Sequence, residues 1–197
     1  MIDIFIFDCF GVICEPVLNG WYRDHRLKKG FLDENLKKIF EKFDLGAWSE
    51  NDMVDYFSSY EGVEATKEQI REQIDDYLKL DKALVNMIQA LKDQGFKTVL
   101  LTNANASFFE RKLYPTHPEF KTMFDEIIIS SQIGMVKPYK PIYEYTLKKL
   151  HAKPEETLFI DDSESNVEGA IAVGMSGYVY TDRQSLRDYL RTLNIEV

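Results

Sequence analysis

Four short apolar runs in this chain break off at an ionisable or hydroxyl residue: Ile4-Phe5-Ile6-Phe7 at Asp8, Val99-Leu100-Leu101 at Thr102, Met135-Val136 at Lys137, and Leu158-Phe159-Ile160 at Asp161 and Asp162. The run before Asp8 is short and almost continuously apolar, as expected of a strand buried on both faces in a helix-covered parallel sheet. Helical periodicity fills the intervals. Leu84, Met87, Ile88 and Leu91 share one helix face, stopped by Gly95 and followed by a strand over 96–101. Short helical pieces are expected over 108–114 and 120–124, and a third strand over 126–130. Pro141 suits the first turn of a helix carrying Tyr143, Leu147 and Leu150, ahead of a fourth strand over 157–160. Val167, Ala170 and Ile171 mark a helix ending near Gly174, 177–180 a short strand, and Leu186, Tyr189, Leu190 and Leu193 a terminal helix. This alternation predicts an α/β fold, a doubly wound parallel sheet.

One long stretch interrupts the alternation. From 15 to 80 the pattern is helical: Leu36, Ile39, Phe40 and Phe43 fall on one face, as do Ile70, Ile74, Tyr77 and Leu78, and Thr66 with Gln69 forms a capping box. A parallel crossover needs about a dozen residues, so this much helix should bury apolar faces of its own. The expected division is an α/β core of residues 1–14 and 81–197 with an all-helical cap inserted over 15–80.

Charge and cysteine content narrow the function classes. With 24 basic and 33 acidic residues the net charge is −9, which would repel a nucleic acid rather than bind it. The N-terminal run carries Asp3 and Asp8 and lacks a basic leader, so it reads as a core strand, and no run reaches membrane-spanning length. Cys9 and Cys14 adjoin the same strand end and suggest neither a disulfide framework nor a zinc cluster. A cytoplasmic enzyme or binding protein, without nucleic acid or membrane partners, is the expectation.

In a doubly wound sheet the ligand crevice lies beyond the carboxyl ends of the strands. Asp8, Thr102, Asn103, Asp161 and Asp162 should converge there, with Lys137 on a nearby loop. Any one of them alone is accounted for by helix capping or a turn; together they suggest a site. Three carboxylates in one crevice repel unless neutralised, and an oxygen-rich set without His or Cys suits Mg²⁺ better than zinc. A cation, a carboxylate nucleophile, a hydroxyl and amide at a helix start and a lysine are the parts of phosphoryl transfer through an aspartyl-phosphate.

At these residues the chain resembles the haloacid dehalogenase (HAD) superfamily. Asp8-Cys9-Phe10-Gly11-Val12, Leu101-Thr102-Asn103, Gly134-Met135-Val136-Lys137-Pro138, and Phe159-Ile160-Asp161-Asp162-Ser163 through Asn166 are similar to its four motifs, in order, and the insertion after the first resembles the helical-cap subclass. The resemblance implies Asp8 as nucleophile and metal ligand, Thr102 and Lys137 as binders of the transferred phosphoryl, and Asp161 with Asp162 as metal-site carboxylates. It further implies that Asn103 orients substrate or phosphate and that the Phe10 backbone carbonyl faces the metal.

Phe10 is the departure. Phosphatases of the superfamily place an aspartate there, which protonates the leaving oxygen and then activates water. General acid–base catalysis contributes about 10²–10⁴-fold, so turnover should be weak unless another acid serves; Glu15, Asp24 and His25 on the cap are the candidates, set against their ordinary reading as solvated side chains. The expected function is a HAD-like, Mg²⁺-dependent hydrolase of a small phosphorylated metabolite. A metal-independent 2-haloacid dehalogenase is the second reading, since Phe10 resembles the aromatic residue of that branch and Arg23 and Arg26 offer a carboxylate clamp; retention of Asp161-Asp162 opposes it. A weakened protein that binds a phosphorylated ligand or partner is the third.

Overall fold

Five parallel strands in the order β3-β2-β1-β4-β5 form the centre of the computed structural model, which describes residues 2–29, 33, 35–60 and 62–197. They are β1 (Ile4–Phe7), β2 (Lys97–Thr102), β3 (Glu126–Ile129), β4 (Thr157–Asp161) and β5 (Ser176–Val179). β1 is flanked on both sides, with Phe7 level with Leu100 of β2 and Ile160 of β4. Its side chains alternate between two cores. Phe5 and Phe7 join one cluster while Ile4 and Ile6 join the other, so both faces of the strand are buried, which is why the run is continuously apolar.

Helices cover both faces. On one side α5 (Lys82–Asp93) contributes Leu84, Met87, Ile88 and Leu91, and α12 (Arg183–Thr192) contributes Leu186 and Leu190. On the other, α10 (Lys140–Leu150) contributes Ile142, Tyr143, Leu147 and Leu150, and α11 (Glu164–Ile171) contributes Val167 and Ala170. Ile171, read from the sequence as part of that face, is 52% exposed, because the buried stripe of so short a helix is already filled by Val167 and Ala170. Between β2 and β3 the chain passes through α6 (Ala106–Phe108), a π-helical turn (Phe109–Leu113), α7 (Tyr114–Thr116) and α8 (Phe120–Met123), and after β3 through α9 (Ser130–Ile133). Ser130, predicted to end the third strand, begins this helix instead.

The segment between β1 and α5 holds α1 (Val17–Lys29), α2 (Leu36–Asp44), α3 (Glu50–Ser58) and α4 (Lys67–Asp75). Capping boxes Ser49–Asp52 and Thr66–Gln69 start the last two. Residues 30–32, 34 and 61 of the predicted insertion lie outside the described residues. Its buried side chains, among them Trp21, Phe43, Met53, Phe57 and Ile74, form one cluster with the Phe5–Phe7 side of the sheet. No helix of the described residues is long and apolar enough to cross a membrane.

Candidate active site

Strand register brings the distant polar residues together. Phe7 pairs with Ile160, so Asp8 leaves β1 beside Asp161 at the end of β4, and the Asp8 N–H donates to the Ile160 carbonyl at 2.9 Å. Thr102 ends the neighbouring β2. Lys137 arrives from the loop after α9 and inserts its ammonium between the two aspartates, 2.7 Å from Asp8 Oδ1 and 2.6 Å from Asp161 Oδ2, with its side chain 1% exposed. Such a lysine has no water to fall back on, and the two carboxylates replace it.

The charges are unbalanced. Asp8, Asp161 and Asp162 each offer a carboxylate oxygen, and these oxygens lie within 4.8 Å of one another. Burial raises the Asp8 carboxyl to about 7, opposed by Lys137 and reinforced by Asp161. Burial likewise raises Asp162, with Asp161 adding to the rise. For Lys137 burial works downward, but Asp8 and Asp161 outweigh it and hold the amine protonated. One lysine facing three carboxylates leaves a surplus of negative charge, and an all-oxygen donor set of this kind fits a hard divalent cation such as Mg²⁺.

Local structure fixes each group. Asp161 Oδ1 accepts from the Ser163 N–H at 2.8 Å, and Asn166 Nδ2 donates to both Asp161 oxygens at 3.0 and 3.1 Å, so a neutral amide from α11 orients the buried carboxylate. Asn103 turns both ends of its amide to the Lys137 backbone: Nδ2 donates to the Lys137 carbonyl at 2.9 Å and Oδ1 accepts the Lys137 N–H at 2.8 Å. It thereby holds the lysine loop as well as lining the cavity beside the site. Gly11 turns the chain after Phe10 with φ +99°, and a Cβ there would lie 2.3 Å from Asp162 Oδ2. Thr102 Oγ1 is buried without a hydrogen-bond partner among the described residues, an orphaned polar atom of the sort a ligand oxygen satisfies.

Phe10 packs edge-on against Phe108 and Phe109, at ring separations of 6.0 and 6.2 Å. The proposed substitutes for its missing acid are elsewhere. Asp24 accepts from the Tyr77 hydroxyl at 2.6 Å, His25 stacks on Trp21 at 3.8 Å with Nδ1 2.8 Å from the Trp21 carbonyl, and Glu15 is exposed; none of the three lines the cavity that Phe10 lines. Arg23, 63% exposed, pairs with Asp24, and Arg26 is exposed, so both lie on the surface. Cys9 and Cys14 are buried free thiols 3.7 Å apart, and burial pushes the Cys9 thiol well up. Asp44, Asn105 and Ser130 belong to none of the sequence motifs. Asp44 directly follows the buried Phe43 in the amphipathic stretch, which was the available signal.

The model of the haloacid dehalogenase-like hydrolase family matches residues 2–174. A sesquiterpene phosphatase of Aspergillus oryzae is 37% identical over 116 residues, 59% of this chain and 58% of that protein. D-ribitol-5-phosphate phosphatase of Bacteroides thetaiotaomicron is 26% identical over 137 residues, 66% of this chain and 65% of that one. The match to bifunctional epoxide hydrolase 2 of Rattus norvegicus, 34% identical over 108 residues, spans only 20% of that protein. Among solved structures, a predicted HAD-like hydrolase from Porphyromonas gingivalis superposes with a TM-score of 0.77 at 25% identity over the whole of both chains. A HAD enzyme of Bacteroides thetaiotaomicron complexed with magnesium and inorganic phosphate gives 0.76 at 20% identity, covering 94% of this chain and 98% of that one. A five-stranded parallel sheet with an acidic cluster and a buried lysine at its carboxyl edge, together with a family match along most of the sequence, makes this chain a member of the haloacid dehalogenase-like hydrolase family.

Proposed function

We propose that this hydrolase is a Mg²⁺-dependent phosphatase of small phosphorylated metabolites, with Asp8 as the nucleophile. Asp8 Oδ bonds to phosphorus as the ester P–O bond breaks, and water then cleaves the aspartyl-phosphate, releasing phosphate and regenerating Asp8. The observation that carries this reading is the Lys137 ammonium held between Asp8 and Asp161 with Asp162 alongside. Lys137 neutralises the phosphoryl oxygens, the unpartnered Thr102 hydroxyl donates to one of them, and Asn103 keeps the lysine loop in place. Asp8, Asp161, Asp162 and the Phe10 carbonyl would hold the cation, which when bound supplies charge neutralisation at the phosphoryl group.

In this reading residues 15–80 act as a cap over a core of 1–14 and 81–197. Between them lies a cavity of about 120 Å³ lined by Phe10, Phe40, Phe43, Met53, Ile74 and Phe108. It is somewhat smaller than the roughly 150 Å³ that takes benzene, so it receives a small apolar part of the ester. The phosphatases among the relatives support the reaction class, and the free thiols fit a cytoplasmic setting.

The test is steady-state hydrolysis of a panel of phosphate monoesters with Mg²⁺ and with EDTA, beside Asp8→Asn. Phosphate release that needs both Mg²⁺ and Asp8 is expected. Activity surviving either loss overturns the reading, and halide release from 2-haloacids without metal selects the dehalogenase instead.

A further inference from the structure

Phe10 deprives the site of an acid at the usual position, yet the cavity it lines contains a carboxylate without a hydrogen-bond partner among the described residues. Asp44, the last residue of α2, lines that cavity together with Phe10 and Asn103, and its carboxylate accepts no hydrogen bond from the described residues. The other acid lining the cavity, Glu50, is taken: Arg111 pairs with it at 2.7 Å and with Asp75 at 2.7 Å. Arg71, the remaining cation there, donates to Asn51.

The backbone that carries Asp44 is clamped to the core. Ser130 Oγ donates to the Asp44 carbonyl at 2.6 Å and accepts the Ala104 N–H at 2.9 Å. Asn105 Nδ2 donates to the Trp48 carbonyl at 2.9 Å, which closes the turn between α2 and α3 onto the loop after β2. Gly46, at φ +76°, allows the approach, since a Cβ there would stand 3.0 Å from the Ser131 carbonyl. The turn therefore presents Asp44 to the catalytic edge of the sheet in a fixed position.

Its electrostatic surroundings agree with that placement. Burial raises the Asp44 carboxyl to about 7, Lys137 opposes the rise, and Asp8 and Glu41 add to it, so the charges of both the nucleophile and the lysine reach it. A group near that value is populated in both protonation states at neutral pH, as a residue that gives and then regains a proton requires.

We propose that Asp44 is the catalytic acid and base of this site, supplied by the inserted helices in place of the residue that Phe10 replaces. Its carboxyl gives a proton to the leaving ester oxygen as the Asp8–phosphorus bond forms and the P–O bond breaks. Its carboxylate then takes a proton from the water that attacks the aspartyl-phosphate. The assignment rests on Asp8 being the nucleophile.

The experiment compares wild type, Asp44→Asn, Asp44→Glu and Asp8→Asn on hexyl phosphate, whose leaving alkoxide needs a proton, and 4-nitrophenyl phosphate, whose leaving phenolate does not. Asp44→Asn should lower kcat/KM for hexyl phosphate by about 10²–10⁴-fold and for 4-nitrophenyl phosphate by less than about ten-fold. Rapid mixing of Asp44→Asn with 4-nitrophenyl phosphate should show a burst of nitrophenolate followed by slow turnover, with phosphoenzyme accumulating, and Asp44→Glu should recover part of the rate. Equal losses on both substrates without a burst, in a variant of unchanged thermal midpoint, overturn the role of Asp44. Turnover surviving in Asp8→Asn, or absent from wild type on both esters, overturns the nucleophile reading and the Asp44 assignment with it.

Discussion

Lys137 Nζ stands 2.7 Å from Asp8 Oδ1, and the two side chains are 1% and 8% exposed. The same ammonium lies 2.6 Å from Asp161 Oδ2. A lysine in this position serves the fold and the site at once, because without it two carboxylates would face each other away from water. Lys137→Met should destabilise the protein by about 3–5 kcal/mol in the absence of Mg²⁺ and lower kcat/KM at least about 10²-fold. Urea unfolding and phosphate-release assays measure the two; an active variant of unchanged stability contradicts the role given to the lysine.

Asn103 meets that lysine only through its backbone. Because both ends of its amide bond to Lys137, Asn103→Ala leaves a carbonyl and an N–H to find other partners, at a cost of about 1–3 kcal/mol. The lysine loop loosens with it, so kcat should fall about ten-fold while KM changes by less than about two-fold. A pure KM effect would place Asn103 on the substrate instead.

Cation binding should be visible without turnover. Mg²⁺ at a hundred times its Kd stabilises the fold by about 2.7 kcal/mol, or roughly 5–10 °C of thermal midpoint in a domain of this size. EDTA should reverse the shift. Asp162→Asn, which removes the most exposed of the three carboxylates, should need at least about ten-fold more Mg²⁺ for an equal shift. An identical titration for the variant would remove Asp162 from the site.

Gly11 shows how little room the site allows. Alanine there meets a left-handed φ of +99° and places its Cβ against the Asp162 carboxylate. Gly11→Ala should cost about 1–3 kcal/mol, and the Mg²⁺-induced rise in thermal midpoint should shrink as Asp162 is displaced. An unaltered midpoint and Mg²⁺ response would show that the turn adapts.

Acid stability offers a check remote from the chemistry. Asp125 accepts the Thr98 N–H at 2.9 Å and pairs with Lys92 at 3.0 Å. Burial pushes its carboxyl up, but the Thr98 bond and Lys92 outweigh burial and hold it below the usual carboxylate range. A depressed folded value means the stabilisation is complete above the unfolded value of about 3.9 and disappears as pH falls through the folded value. Asp125→Asn should therefore cost about 1 kcal/mol at pH 6, solvent screening keeping it small, and almost nothing near pH 2. A difference independent of pH, measured by urea unfolding at both values, contradicts this.

Asp8, Thr102, Asp161 and Asp162 were legible in the sequence because their placement follows from local rules, whereas Lys137 enters from the loop after α9. A short apolar run makes a buried strand, the polar residue that ends it emerges at the carboxyl edge, and parallel register sets such ends side by side. Helical periodicity likewise located α2, α4 and α5, and the Thr66–Gln69 spacing marked the start of α4. What periodicity cannot convey is where the end of an amphipathic helix docks. Phe43 is buried by the apolar stripe of α2, but Asp44 faces the Phe10 cavity because Ser130, 86 residues away, holds its carbonyl, and because Gly46 lets the turn approach Ser131. Asp24 and His25, the candidates offered by the sequence, turn instead to Tyr77 and Trp21. The chain itself determined the sheet and its acidic carboxyl edge through burial and register, which act over neighbouring residues. Which carboxylates share the cavity with Phe10 was decided only by tertiary hydrogen bonds between segments far apart in the chain, whose pairing carries no signature in the sequence of either one.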